Sequence, residues 1–167
     1  MCAALAALLL CSLTACGKTE EPARQDIFAM DTYMSLVAYG EDGQEALAAA
    51  AREINRLEQE LSRTVSTSYI YKLNENGSAA VSEETANLLK NAMDYSAATG
   101  GLFDMTVAPL VSLWGITTDS PRVPSRSEID ALLPLVGSGH VHLDGQTVTL
   151  DTGCAVDLGG IAKGYAS

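Results

Sequence analysis

The residues whose types and spacing come nearest to chemistry lie close together in Val156-Asp157-Leu158-Gly159-Gly160-Ile161-Ala162-Lys163-Gly164-Tyr165-Ala166. Two adjacent glycines let a backbone come close to a ligand such as a dinucleotide, because no Cβ stands in the way. A helix starting just beyond them would offer free N–H groups to an anion. Lys163 is a cation able to counter phosphate charge, and Asp157 places a carboxylate ahead of the turn. The same spacing also describes a plain strand-to-helix turn whose Lys163 is a solvated surface charge.

Other residue types invite a chemical reading less strongly. Asp104 reads as a helix cap beside core residues Leu102 and Phe103, and Met30 as an ordinary core methionine. His140 and His142 occupy alternate positions and so share a strand face. Two histidines are not a closed metal site, and with no third ligand placed they read as strand-surface residues. Cys154 has no histidine near it in sequence and reads as a small buried apolar residue. Trp114 is assigned no role beyond packing.

These residues need elements to position them. The β-branched and aromatic residues over 27–39 predict one strand or a bent strand pair, closed by Gly40-Glu41-Asp42-Gly43. Leu47, Ala50, Ala51, Ile54, Leu57 and Leu61 recur at helical spacing over 44–61. The stretch 62–82 is polar and loop-like, with Asn74-Glu75-Asn76-Gly77 as its clearest turn. A second helix starts at Ser82, carries Glu83 and Glu84 in its first turn, and stops at Gly100 and Gly101. Its inner stripe is Leu88, Leu89, Ala92, Met93 and Ala97.

Pro109 suits the first turn of a short helix. Another helix is expected near 127–133, bounded by Pro134. Alternation around Asp144-Gly145 predicts a hairpin over 141–150. A short strand over 155–161 should lead into the glycine turn, with a helix beginning at Ala162. Six residues of helix bury little, so the sequence is expected to be a fragment.

The chain has 167 residues, 47% of them hydrophobic, enough for one domain or a large piece of one. Ten Lys and Arg against 21 Asp and Glu give a net charge of −11, which argues against nucleic acid as a partner. An anionic small ligand stays possible, since backbone N–H groups and a metal ion bind phosphate without a basic patch. Residues 1–15 form an uncharged apolar run ending in small residues, too short to span a bilayer and like a secretory signal. Leu13-Thr14-Ala15-Cys16 resembles the bacterial lipobox, which makes Cys16 the lipidated first residue of the mature chain and 16–26 a tether. The resulting expectation is an exported protein, lipid-anchored on the outer face of the cell membrane or at a periplasmic membrane surface. Cys2, Cys11 and Cys16 then belong to signal and anchor, and Cys154 has no partner for a disulfide.

Three segments together resemble the FAD:protein FMN transferase family, the ApbE-type flavin transferases. They are Met30-Asp31-Thr32-Tyr33-Met34; Gly101-Leu102-Phe103-Asp104-Met105-Thr106-Val107 with Pro109-Leu110 and Leu113-Trp114-Gly115; and the Asp157-to-Ala166 segment. The resemblance covers 27–167 and corresponds to the N-terminal half of a typical member, whose later His-containing segment and magnesium ligands match nothing here. It implies an α+β fold, with helices on a largely antiparallel or mixed sheet and the domain truncated at its C-terminal end.

The resemblance also implies Mg²⁺-dependent transfer of FMN from FAD to a Thr or Ser hydroxyl of an acceptor flavoprotein in a membrane redox complex, with release of AMP. Met30, Leu102, Phe103, Asp104, Asp157 and Lys163 would contact FAD, and Gly160 would offer an oxygen to Mg²⁺. No catalytic residue is implied. Where the family often has a flavin-contacting tyrosine this chain has Thr64, leaving Tyr69 or Tyr71 as replacements. The competing reading is a lipid-anchored FAD- or nucleotide-binding protein, or an inactive fragment, without transferase activity. The 167 residues alone are expected to be inactive.

Overall fold

The computed structural model describes residues 21–116 and 118–167. The apolar run and Cys16 lie outside the described residues. Alternating side chains over the first described segment make a hairpin rather than a single strand: β1 (Ala23–Ala29) pairs antiparallel with β2 (Thr32–Ala38). β1 begins inside the stretch read as a tether, because Ala23 to Asp26 find ladder partners in Ser35 to Ala38. Phe28, Tyr33 and Val37 point to solvent, while the alternate residues are half-buried on the side of α1 (Gly43–Leu61). α1 buries Leu47, Ala51, Ile54, Leu57 and Leu61, a single stripe at helical spacing, and leaves Ala50, which the spacing also included, exposed. A Cβ on Gly43 would lie 3.1 Å from the Ala23 Cβ and 3.2 Å from the Ala38 carbonyl oxygen, so the helix starts hard against the hairpin.

The polar stretch after α1 is not a loop. It contains α2 (Tyr69–Asn76) and β3 (Ser78–Ala80). Ser68 caps α2 by accepting the Tyr71 N–H at 2.9 Å, and Gly77, at φ 70°, ends it in the left-handed conformation. Asn-Glu-Asn-Gly reads as a turn in isolation, but burying Ile70 and Leu73 completely outweighs the weak helix propensity of the asparagines. α3 (Glu83–Ala98) is capped by Ser82, which accepts the Thr85 N–H at 3.0 Å. Its buried stripe is Thr85, Ala86, Leu88, Leu89, Ala92 and Ser96, with Met93 half-buried and Ala97 exposed. The stripe ends on Ser96 rather than Ala97 because Ser96 faces Asp104.

A 3₁₀ turn over Met105–Val107 leads into α4 (Ala108–Trp114), with Pro109 in its first turn. α5 (Arg126–Leu132) opens on a capping box between Ser125 and Glu128 and runs into a 3₁₀ turn holding Pro134. β4 (Val141–Asp144) and β5 (Thr147–Leu150) form the expected hairpin, with Gly145 at φ 57° as the first loop residue. β3 joins β5 on its other edge, giving the order β3-β5-β4, all antiparallel. Residues 155–161 form no strand. Instead the Asn74 amide serves as the ladder partner of Val156, donating to its carbonyl at 2.9 Å and accepting its N–H at 2.8 Å. α6 (Ala162–Tyr165) follows.

The fold is α+β, with helices and two small antiparallel sheets. Ile70, Leu73, Leu89, Met105, Val148, Val156 and Leu158 form the centre of the core, drawing α2, α3, the three-stranded sheet and the segment before α6 together. Among the described residues no helix is long and apolar enough to cross a membrane.

Candidate functional site

One cleft of about 570 Å³ lies between the β1–β2 turn, the end of α1, the segment after α3 and the turn before α6. Met30, Leu102, Phe103, Asp104, Asp157, Gly160 and Lys163 all line it. Three stretches far apart in sequence are thus brought to one surface, along with Glu58, Arg63 and Thr64, which sequence reasoning did not assign.

Leu102 is not a core residue: it is 93% exposed on the cleft rim. Gly100 and Gly101, at φ 64° and 82°, turn the chain out of α3 and carry Leu102 away from the core. Phe103 is half-buried, packed against the core, and its ring lies 3.1 Å from where a Cβ on Gly160 would sit. Gly160 therefore leaves the space that the Phe103 ring fills, joining two of the three motif segments.

Asp104 caps the 3₁₀ turn. Its Oδ1 accepts the Thr106 N–H at 2.8 Å and the Thr106 hydroxyl at 2.6 Å. Its Oδ2 accepts the Ser96 hydroxyl at 3.1 Å and the Ser138 N–H at 3.0 Å. Four donors match the acceptor capacity of a carboxylate, so this side chain is engaged within the protein. Thr106 Oγ1 in turn accepts the Gly137 N–H at 2.7 Å, and the cluster ties α3, the 3₁₀ turn and the chain before β4 together.

Asp157 is held differently. Its Oδ2 pairs with Arg63 Nε at 2.8 Å, both side chains 18% exposed, and its Oδ1 accepts the Gly159 N–H at 2.7 Å. Arg63 also donates to the Ile116 carbonyl at 3.2 Å. The turn takes up part of the row of N–H groups expected at the helix start. Gly159 donates to Asp157, and Ile161 and Ala162 donate to the Leu158 carbonyl at 2.9 and 2.8 Å, because the turn closes on itself. Lys163 is exposed on α6, and no carboxylate among the described residues pairs with it.

Met30 sits at the cleft on the hairpin turn, half-buried, and its N–H donates to Glu58 Oε1 at 2.8 Å. Thr64 lines the cleft, but neither Tyr69 nor Tyr71 does. The Ser68 cap starts α2 there and turns Tyr69 onto the core, so neither tyrosine replaces an aromatic at position 64.

Outside the cleft, His140 Nδ1 and His142 Nε2 each lie 2.9 Å from a different oxygen of Asp151. The hydrogen bond from His140, then that from His142, holds the Asp151 carboxyl below its ordinary value of 3.8. Only His142 lies on β4; His140 ends the 3₁₀ turn before it and is half-buried, so the two do not share a strand face and reach Asp151 from different elements. Cys154 is buried, and burial pushes its thiol up. Among the described residues no three His, Cys, Asp or Glu converge as a metal site. Gly160 could bring one backbone oxygen, so these residues do not by themselves fit a magnesium ion.

The roles of Glu58, Arg63 and Asn74 were invisible to motif reading because their partners are distant. Glu58 bonds a group 28 residues away, and Asn74 one that is 82 away. No local pattern announces such a pairing.

The ApbE family model matches residues 30–167. A FAD:protein FMN transferase of Vibrio cholerae is 33% identical over 172 residues, covering 97% of this chain and 51% of that protein. One of Salmonella typhimurium is 30% identical over 187 residues, covering 100% and 52%. The chain spans about half the length of these curated relatives. Among solved structures, the ApbE protein of Thermotoga maritima superposes with a TM-score of 0.82 at 34% identity, over 87% of this chain and 50% of that one. The flavin transferase ApbE of Vibrio cholerae gives 0.75 at 27%, over 87% and 50%. Motif segments, cleft and superposition agree, and the chain belongs to the ApbE family.

Proposed function

We propose that the cleft is the N-terminal wall of a flavin transferase site, taking FAD as substrate and passing FMN to a Thr or Ser hydroxyl of an acceptor flavoprotein. The observation that carries this reading is the convergence of Met30, Leu102, Phe103, Asp104, Asp157, Gly160 and Lys163 on one cleft. Its apolar side, with Met30, Leu102 and Phe103, suits a ring system, and Lys163 and Arg63 bring positive charge for phosphates.

In the reaction, the acceptor hydroxyl oxygen bonds to the FMN-side phosphorus, and the bond from that phosphorus to the bridging oxygen breaks. AMP leaves with the electron pair, and the hydroxyl proton passes to a base that none of these residues is assigned to be. Charge grows on the phosphate oxygens, so positioning and electrostatic stabilisation carry most of the catalysis. This chain's part is to orient the dinucleotide: Arg63 and the Gly159 N–H fix Asp157, and Gly160 leaves room for the Phe103 ring. A magnesium ion would spread the pyrophosphate charge. Gly160 would bring it one oxygen.

Cys16 would carry a lipid anchor that holds the enzyme beside a membrane redox complex, where its acceptor resides. Labelled fatty acid should enter the protein and be lost in Cys16→Ala. The transferase itself is tested by incubating the full-length protein with FAD, Mg²⁺ and a candidate acceptor domain and weighing the acceptor. An added FMN that disappears without Mg²⁺, or with Asp157→Ala, supports the reading. FAD bound without any adduct on any acceptor would replace it with a cofactor-holding protein.

A further inference from the structure

The β1–β2 turn carries a conformation that its residues do not favour. Met30 and Asp31 have φ values of 52° and 53°. Two-residue hairpin loops of this left-handed kind ordinarily use Asn-Gly or Gly-Gly, and an unbranched apolar residue such as methionine is uncommon there. A backbone held in a sparsely populated region persists only where its surroundings over-determine it. Here the surroundings are two side chains. Glu58 Oε1 on α1 accepts the Met30 N–H at 2.8 Å, and the Thr32 hydroxyl donates to the Met30 carbonyl at 3.2 Å. Both polar backbone groups of the turn's first residue are thus taken by side chains, one of them from another element.

Met30, Asp31 and Glu58 all line the cleft. On the reading that the cleft takes a dinucleotide, a carboxylate on its wall opposes the ligand's charge. Its place there calls for a compensating task. We infer that Glu58 is a positioning residue: it clamps the left-handed Met30–Asp31 turn through the Met30 N–H and so pre-sets the Met30 side chain against the bound flavin nucleotide. The inference rests on the flavin-site reading for its ligand, but the clamp is a property of the free protein.

The test uses the full-length protein and two readouts: hydrogen exchange at the Met30 amide without ligand, and equilibrium dialysis of FAD. Glu58→Ala should speed Met30 exchange and weaken FAD binding about tenfold, the fraction of turn lost with a charge-assisted hydrogen bond. Glu58→Gln keeps an acceptor oxygen and should stay within about threefold of the parent on both readouts. Adding Asp31→Gly to Glu58→Ala should recover most of the binding, because glycine adopts the left-handed turn without a clamp. Unchanged exchange and affinity in Glu58→Ala would overturn the inference. Equal weakening in Glu58→Ala and Glu58→Gln with Met30 exchange unaltered would overturn it too, since Glu58 would then touch the ligand directly. If Glu58→Ala does not fold, Glu58→Gln and the double variant decide by the same criteria. Absence of FAD binding in the parent, with exchange responding as expected, would sink the flavin-site reading and leave the clamp standing.

Discussion

Asp104 gives its oxygens to four donors on Ser96, Thr106 and Ser138, whereas Asp157, across the same cleft, holds one arginine and one backbone N–H. Both sit in motif segments, and both were read as ligand contacts. Their surroundings assign them different work. The first is a joint between three parts of the chain, and its removal leaves several donors without a partner. The second is a bracket around a glycine turn, held by a charge that is itself on the cleft wall. A motif residue is thus as apt to build the wall as to face the ligand, and only its partners say which.

Asp104 is where loss of a side chain should cost the fold most. Asp104→Ala should destabilise the fold by about 3 kcal/mol, since hydrogen bonds to a charged group contribute more than neutral ones and their donors are left partly unsatisfied. Urea unfolding checks this, and a loss below about 1 kcal/mol with abolished FAD binding would reverse the roles given to the two aspartates. Asn74→Ala removes both bonds to Val156 and should cost about 2 kcal/mol. It should also weaken FAD binding, because the segment that carries Asp157 loses its ladder partner.

Arg63→Met should cost less in stability, about 1 to 2 kcal/mol, because the ion pair is only partly shielded from solvent. FAD affinity should suffer relatively more there than in Asn74→Ala, and dialysis beside urea melts measures the ratio. The opposite ratio would put Arg63 among the joints.

The smallest effect is expected far from the cleft, at Glu128. The Arg122 guanidinium, followed by the Ser125 backbone and hydroxyl, lowers its carboxyl from 4.5 to about 2. A carboxyl lowered in the folded state stabilises above its unfolded value, and that contribution fades as pH falls from 4.5 through about 2. Glu128→Gln should therefore flatten the acid side of the stability profile slightly and leave FAD binding unchanged. A change in FAD affinity would show that α5 communicates with the cleft.

Much of the architecture was legible beforehand. The α1 stripe, the Ser82 cap, Pro109 at the start of α4 and the hairpin around Asp144-Gly145 all follow local rules that the structure obeys. α2 was missed because its asparagines and terminal glycine signal a turn, while its helical state depends on burying Ile70 and Leu73 beneath distant elements. The strand expected over 155–161 did not form: both backbone groups of Val156 are paired, but their partner is a side chain and not a strand. At the site, the motif residues were legible and their partners were not: Leu102 read alone as a core residue, and only the resemblance placed it at the cleft on whose rim it lies.

By itself the sequence determined the periods, caps and glycine turns, because these depend on neighbours within a helical turn or across a tight hairpin. It also carried the three motif segments and their order. Tertiary structure alone decided that Glu58 holds the Met30 N–H, that Arg63 brackets Asp157 and that Asn74 stands in for a strand. Those bonds close loops of tens of residues, such as 28 and 82. No local pattern specifies such closures; they form when burial of Ile70, Leu73, Val156 and Leu158 offsets the entropy of bringing the ends together.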